Sequence, residues 1–266
     1  MTTAVISHRA GSGYGFRTVA QMEWRKLRSI RSTWYLVAVF AASMIGLAVL
    51  VLSHEGYPRM SAADRASFDP THDCFIGLVL GQLLLGTLGV LAITTEFSSG
   101  MIRATFAAAP SRPLVLTAKA AVLGAVTLTA GEITAFAAFF AGQAVLQAPA
   151  PHAQLGQPGV LRAVLIAGAY PALTALIGLG IGALIRHTAG AICALVGVLF
   201  VLPLLAVTPS VQDASQNFLP HPMANALTSV KPLAGALPPA LVFGVLCLYA
   251  LATLAAGAWA LAGRDA

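Results

Sequence analysis

The chain has 266 residues, 58% of them hydrophobic and only 9% charged, with a mean hydropathy of +0.84. Soluble domains carry about a quarter charged residues, so a soluble enzyme or binding module is excluded and an integral membrane protein is implied. The formal net charge of +6 comes with no basic patch interleaved with base-stacking aromatics, which excludes nucleic acid as the expected partner. Residues 1–15 are rich in Ser, Gly and Ala and read as a disordered tail, and 16–266 read as one membrane domain. From Phe16 to Trp34 the residues Phe16, Ala20, Trp24, Leu27 and Ile30 recur at three- and four-residue spacing, with Arg17, Arg25, Lys26, Arg28 and Arg31 between them. This predicts a helix lying in the inner interface, apolar side down, with Trp24 at the boundary and Arg25, Lys26 and Arg28 toward lipid phosphates.

Six apolar stretches follow, at about 33–53, 74–95, 120–146, 163–185, 188–207 and 240–262. Each holds roughly twenty residues or more, enough at about 1.5 Å per residue to cross a hydrocarbon core of about 30 Å. Continuous rather than alternating runs mean helices and not a barrel, giving an all-α membrane protein of six transmembrane helices. The first stretch is too long for a cleaved signal peptide and reads as an uncleaved anchor. With the N-terminus cytoplasmic, the inside collects Arg9, Arg17, Arg25, Lys26, Arg28, Arg31, Arg103, Arg112, Lys119, Arg186 and Arg264. The outside keeps Arg59, Arg65, Arg162 and Lys231, so both termini are expected in the cytoplasm.

The loop 54–73 holds His54, Glu55, Asp64, Asp69, His72 and Asp73, with Cys74 beyond, in no metal-ligand spacing; it reads as a solvated loop. Cys74, Cys193 and Cys247 are unpaired in spacing and read as packing residues. The segment 208–239 has six prolines yet stays moderately apolar, and reads equally as an external loop or as short re-entrant helices. Gly77 with Gly81, and Gly178 with Gly182, form small-x-x-x-small pairs that permit close helix approach. Pro171 and Pro203 each remove a backbone donor inside a predicted span.

Glu132 is the one ionisable residue deep in a span, where charge is expensive. It reads either as a functional acid or as a packing residue hydrogen-bonded to Thr127, Thr129 or Thr134. No nucleophile elbow, zinc-protease pair or paired carboxylates are present. The three lysines Lys26, Lys119 and Lys231 precede Leu27, Ala120 and Pro232, so none ends a phosphate-cradling Gly-x-x-x-x-Gly-Lys-Ser/Thr loop. The chain is therefore not expected to be an enzyme or to bind ATP or another cofactor itself.

The polar stretch Glu96-Phe97-Ser98-Ser99-Gly100-Met101-Ile102-Arg103 stands between two spans. Ser98 and Ser99 are suited to cap a short helix Met101–Ala109 that stops before Pro110. A turn between spans needs fewer residues, so the extra length suggests a docking element.

This stretch, with Pro110, Arg112 and Lys119 following, resembles the permease subunits of type-two ATP-binding-cassette transporters, mainly bacterial exporters. Glu23-Trp24-Arg25-Lys26-Leu27-Arg28-Ser29 and Gly182-Ala183-Leu184-Ile185-Arg186-His187 add to the likeness. The resemblance implies a coupling helix after the second span, seated in a groove of a separate ATPase subunit that uses the ATP. It implies Glu96 and Arg103 as polar contacts at that joint, with Phe97, Met101 and Ile102 filling its apolar part. It further implies a second permease subunit, re-entrant helices before the last span, and export of an amphipathic or apolar compound such as a drug, peptide antibiotic or lipid. A bacterial inner or plasma membrane is the expected location. The rival reading is a proton-coupled carrier or membrane-embedded enzyme built around Glu132.

Overall fold

In the computed structural model, residues 15–54, 56–109, 111–205, 217–231 and 235–263 are described. All but the last residue of the tail expected at 1–15, and most of the first half of 208–239, lie outside them. Among the described residues the chain is helical, with no strand. Helix α1 is Phe16–Ser29 and α2 is Arg31–His54, with Ile30 extended between them. Two short helices, α3 (Ala62–Ser67) and α4 (Pro70–Asp73), precede α5 (Leu78–Ser98). Then come α6 (Met101–Ala108), α7 (Arg112–Val145) and α8 (Val160–Ile185). Apolar α9 (Thr188–Leu204) contains a π turn at Gly197–Val201. Helices α10 (Pro220–Thr228) and α11 (Pro239–Gly263) complete the series.

Among the described residues five helices, α2, α5, α7, α8 and α11, are long and apolar enough to cross a membrane, so the chain is a multi-pass membrane protein. The stretch expected as 188–207 forms α9, a shorter apolar helix than these five. Helix α7 starts at Arg112, eight residues before the expected apolar run, because Pro113 sits in its first turn, where a missing N–H costs nothing.

Helix α8 is the centre of the bundle, packed against α5, α7 and α11 and flanked by α9 and α10. In the spans α2 and α11 only 22% of the apolar window is buried, against 67% in α8. Their outer faces present Tyr35, Val39, Leu50, Leu248, Leu251 and Trp259, as expected of helices that lipid must cover. Small residues set the spacing. A β-carbon on Gly89 would collide with the carbonyl of Ala175, and one on Gly178 with that of Gly86. The Gly178 and Gly182 pair therefore seats α8 on α5, and the Gly77 and Gly81 pair seats α5 on Met44 and Phe40 of α2. Both pairs act within the chain.

One end of the bundle gathers α1, α6, the α8–α9 junction and the last turn of α11. Arg112 donates to the Leu261 carbonyl at 2.8 Å, and Arg186 to the Ala260 carbonyl at 2.8 Å. The opposite end is closed by Asp69. Its Oδ1 accepts from the Thr71 and His72 amides at 3.0 and 3.1 Å, capping α4. Its Oδ2 accepts from the Val230 and Lys231 amides at 2.7 and 3.2 Å, fastening the chain after α10. Arg162 at the start of α8 donates to the Ser229 carbonyl at 2.9 Å.

Candidate functional site

Where α1, α5, α6 and α7 meet, two carboxylates and two ammonium groups are buried together. Lys119 Nζ donates to Glu23 Oε2 and, at 2.6 Å, to Glu96 Oε1. Lys26 Nζ donates to Glu23 Oε1 at 2.9 Å, Glu96 Oε1 at 3.2 Å and Thr105 Oγ1 at 3.0 Å. Thr105 in turn donates to Glu96 Oε2 at 3.3 Å. Glu23, Glu96 and Lys119 are each at most 4% exposed. The formal charges cancel, and every proton of Lys26 has an acceptor, the condition under which buried ions are tolerated.

Local sequence explains the placement. In α1 the inward face is Val19, Glu23 and Leu27, with Lys26 half-buried, so one helical stripe delivers an acid and a base together. Glu96 lies near the end of α5, and Lys119 two turns into α7, between Leu116 and Leu123, which are both buried. A lysine inside such an apolar run has to find a carboxylate. Phe16, Trp24 and Ile30 are exposed, leaving an apolar face of α1 uncovered by the chain, while Glu23, to which no role was given, is buried against the bundle. Arg25 and Arg28 are exposed as expected, but Lys26 reaches inward, away from the lipid phosphates assigned to it.

Helix α6 lies over this cluster. Gly100 (φ 71°) is its N-cap, a left-handed conformation that suits glycine. Ser98 and Ser99 do not cap it: Ser98 ends α5, and both hydroxyls donate back to the Thr95 carbonyl, at 3.1 and 2.7 Å. The helix buries Ile102 and Thr105 and exposes Met101, Arg103, Ala104, Ala107 and Ala108. Two cation–π contacts brace its flanks. Arg186 lies over the Phe97 ring at 5.2 Å from its centroid, and Arg112 over Phe106 at 5.3 Å.

The eight residues singled out at this loop therefore divide. Glu96 and Ile102 are buried inside the chain, so neither presents surface to a partner, and Phe97 is half-buried beneath Arg186. Ser98, Ser99, Gly100, Met101 and Arg103 face outward. With Ala104, Ala107 and Ala108 they make a surface of mixed polarity, with Met101 45% exposed at its head.

Glu132 stands apart in the middle of α7. Its carboxylate lies against Gly168 of α8, where a β-carbon would strike it, and its Oε2 is buried with no hydrogen-bond partner among the described residues. The suggested threonine partners do not serve. Thr127 and Thr129 donate to the Leu123 and Ala125 carbonyls of their own helix, each at 2.8 Å.

A second polar chain crosses the bundle nearer the other end. The single hydroxyl proton of Tyr170 of α8 is shared between Gln82 Oε1 of α5 and, at 2.8 Å, the Pro220 carbonyl at the start of α10. Gln82 Nε2 lies 2.9 Å from His221 Nδ1, and the His221 ring packs on Phe200 with centroids 5.5 Å apart. Sequence reading missed Glu23 and Lys119 as a pair and missed Gln82, Tyr170 and His221 altogether. A usable signal existed for Lys119: an isolated charge within an apolar run implies a partner on another helix.

No protein-family signature matches the chain, and no characterised protein aligns with it significantly.

Proposed function

We propose that this chain is the membrane-spanning subunit of an ATP-binding-cassette exporter, with α6 as the docking element for a separate ATPase subunit. In this reading α9 counts as a sixth span, and an even number of spans returns both termini to the cytoplasmic side. A second permease subunit, identical or different, completes the path, and the cargo is amphipathic or apolar. Helix α10 is then the re-entrant element before the last span.

The observation that carries the reading is the ion cluster beneath α6. A helix that merely turns the chain needs no such anchor. A helix that receives a push has to transmit it, and the buried network of Glu23, Lys26, Glu96, Thr105 and Lys119 ties α6 to α1, α5 and α7. Such networks resist rearrangement because any broken link strands a buried charge. Motion imposed at Met101 and Arg103 therefore passes into three helices together. Two states of the bundle, biased by the nucleotide state of the ATPase, give alternating access.

The test is a Met101→Glu plus Arg103→Glu double variant. Both side chains are exposed, so membrane insertion and thermal stability should be unchanged while a co-purifying ATPase is lost. Retention of the ATPase together with normal transport refutes the docking role.

A second reading rests on the unpartnered Oε2 of Glu132 at the α7–α8 contact. An acid there suits a proton-coupled carrier. Transport that survives ATP depletion but stops when the proton gradient is collapsed, and that Glu132→Gln abolishes, selects this reading over the first.

A further inference from the structure

A groove of about 580 Å³ runs between the α1–α2 elbow and α7. Trp24 and Trp34 wall its mouth, and Ala121, Ala125, Ala130 and Ile133 line its length along α7. Twelve residues separate Ala121 from Ile133, so the slot extends roughly 18 Å along the helix. It is apolar throughout. Its one hydroxyl, Thr129, is already committed to the Ala125 carbonyl at 2.8 Å. A slot of this shape and chemistry suits an extended hydrocarbon chain, with no group to bind a polar cargo.

The mouth is different. Trp34 Nε1 donates to the Arg28 carbonyl at 3.2 Å, which fixes the elbow and holds Arg28 beside the groove. Arg28 lies one turn after Trp24, on the same side of α1. Arg25 and Arg31 flank it, and all three side chains are exposed. None forms an ion pair among the described residues, because the nearby carboxylates Glu23 and Glu96 are taken by Lys26 and Lys119. Three exposed guanidinium groups without an ion-pair partner among the described residues thus lie on the same α1–α2 elbow that supplies the groove's two tryptophans.

We propose that the groove and these arginines form one binding site for an anionic phospholipid. One acyl chain lies along α7 between the tryptophans, and the phosphate-bearing headgroup sits on Arg28 with Arg25 and Arg31. A basic interfacial helix by itself attracts any anionic surface, whereas a slot beside it makes the attraction saturable and selective for a molecule that has both a chain and a charge. A lipid seated there bridges α1, α2 and α7, next to the ion cluster that joins α1 to α7. The proposal requires only that the protein sits in a membrane, and stands independently of the transport reading.

The full-length protein carrying Trp259→Phe leaves Trp24 and Trp34 as its fluorophores. It is reconstituted in phosphatidylcholine vesicles doped with phosphatidylglycerol brominated on its acyl chains, and separately with brominated phosphatidylcholine. Quenching by the anionic lipid should saturate at a low mole fraction and exceed that by the neutral lipid at equal fraction. Arg28→Gln should weaken the apparent affinity about fivefold. Ala125→Phe, a change at an exposed position, should remove the saturable component while helix content and the linear quenching remain. Equal, linear quenching by both lipids overturns the site. So does protection of both tryptophans from either lipid, which would place a second copy or another protein in the groove.

Discussion

Lys119 Nζ lies 2.6 Å from Glu96 Oε1, so a lysine of α7 neutralises a carboxylate of α5 in a place where both are buried. The pair exists only because Glu23 and Lys26 of α1 complete it, balancing two charges of each sign. Such an assembly adds little net stability compared with an apolar core, yet becomes costly when one member is removed.

Lys119→Met should therefore destabilise the protein by about 3–5 kcal/mol, since it leaves two buried carboxylates with one cation. Adding Glu23→Gln to that variant restores the charge balance and should recover part of the loss, an interaction that a double-mutant cycle measures. Arg103→Met, at an exposed position on α6, should change stability by less than about 0.5 kcal/mol. Unfolding of the purified protein in detergent, followed by circular dichroism, checks all three. Equal effects of Lys119→Met and Arg103→Met would contradict a strained dependence on the buried cluster.

The spans were legible because lipid imposes a length and a composition that a single sequence displays, and five of the expected six stretches match long apolar helices. The short α6 was legible from the capping residues before Met101 and from Pro110 after it, although Ser98 and Ser99 were the wrong caps. Serines favour caps, but a backbone that must reverse direction after α5 needs positive φ, and Gly100 supplies it. The role of Glu96 was not legible. A carboxylate at the end of a span looks the same in sequence whether it faces a partner or turns inward, and the deciding residues, Glu23 and Lys119, are 73 positions before it and 23 after. Gln82, Tyr170 and His221 were hidden for the same reason. Each is an ordinary polar residue in its own segment, and only the packing of α5, α8 and α10 makes them a network.

The seating of α5 on α8 gives a sharp steric expectation. Gly89→Ala places a methyl against the Ala175 carbonyl and should cost about 1–3 kcal/mol, since overpacking a tight contact forces the helices apart. Gly46→Ala, on a face of α2 with nothing within 4 Å, should be neutral or slightly stabilising because alanine favours the helix. If both substitutions behave alike in thermal unfolding, the α5–α8 contact is looser than drawn.

At the end of the bundle away from α6, His72 Nδ1 lies 3.0 Å from Thr228 Oγ1. Burial pushes the His72 pKa below its usual value, with the Asp69 carboxylate opposing that shift. A histidine whose folded pKa is lowered contributes stability that is fully present above its unfolded pKa of about 6.5 and is lost as pH falls below it. The protein should accordingly lose stability between pH 7 and 5, and His72→Gln should flatten that slope. Unfolding midpoints across this pH range, compared between the two proteins, provide the check; identical slopes would rule His72 out.

Tyr170 holds α10 to the bundle, because its hydroxyl bonds both Gln82 of α5 and the Pro220 carbonyl in a fully buried place. Tyr170→Phe keeps the ring and its packing but removes the one buried proton that Gln82 Oε1 and the Pro220 carbonyl share. The expected cost is about 1–3 kcal/mol. The loss should be local, since the ring still fills its site while the start of α10 loses the hydroxyl that anchors it. Hydrogen exchange read by mass spectrometry should show faster exchange across Pro220–Thr228, with α7 and the centre of α8 unchanged. Uniform acceleration over all helices would mean that Tyr170 supports the whole bundle, and no change at α10 would mean that the contacts at its other end, from His72, Arg162 and Asp69, suffice to keep that helix in place.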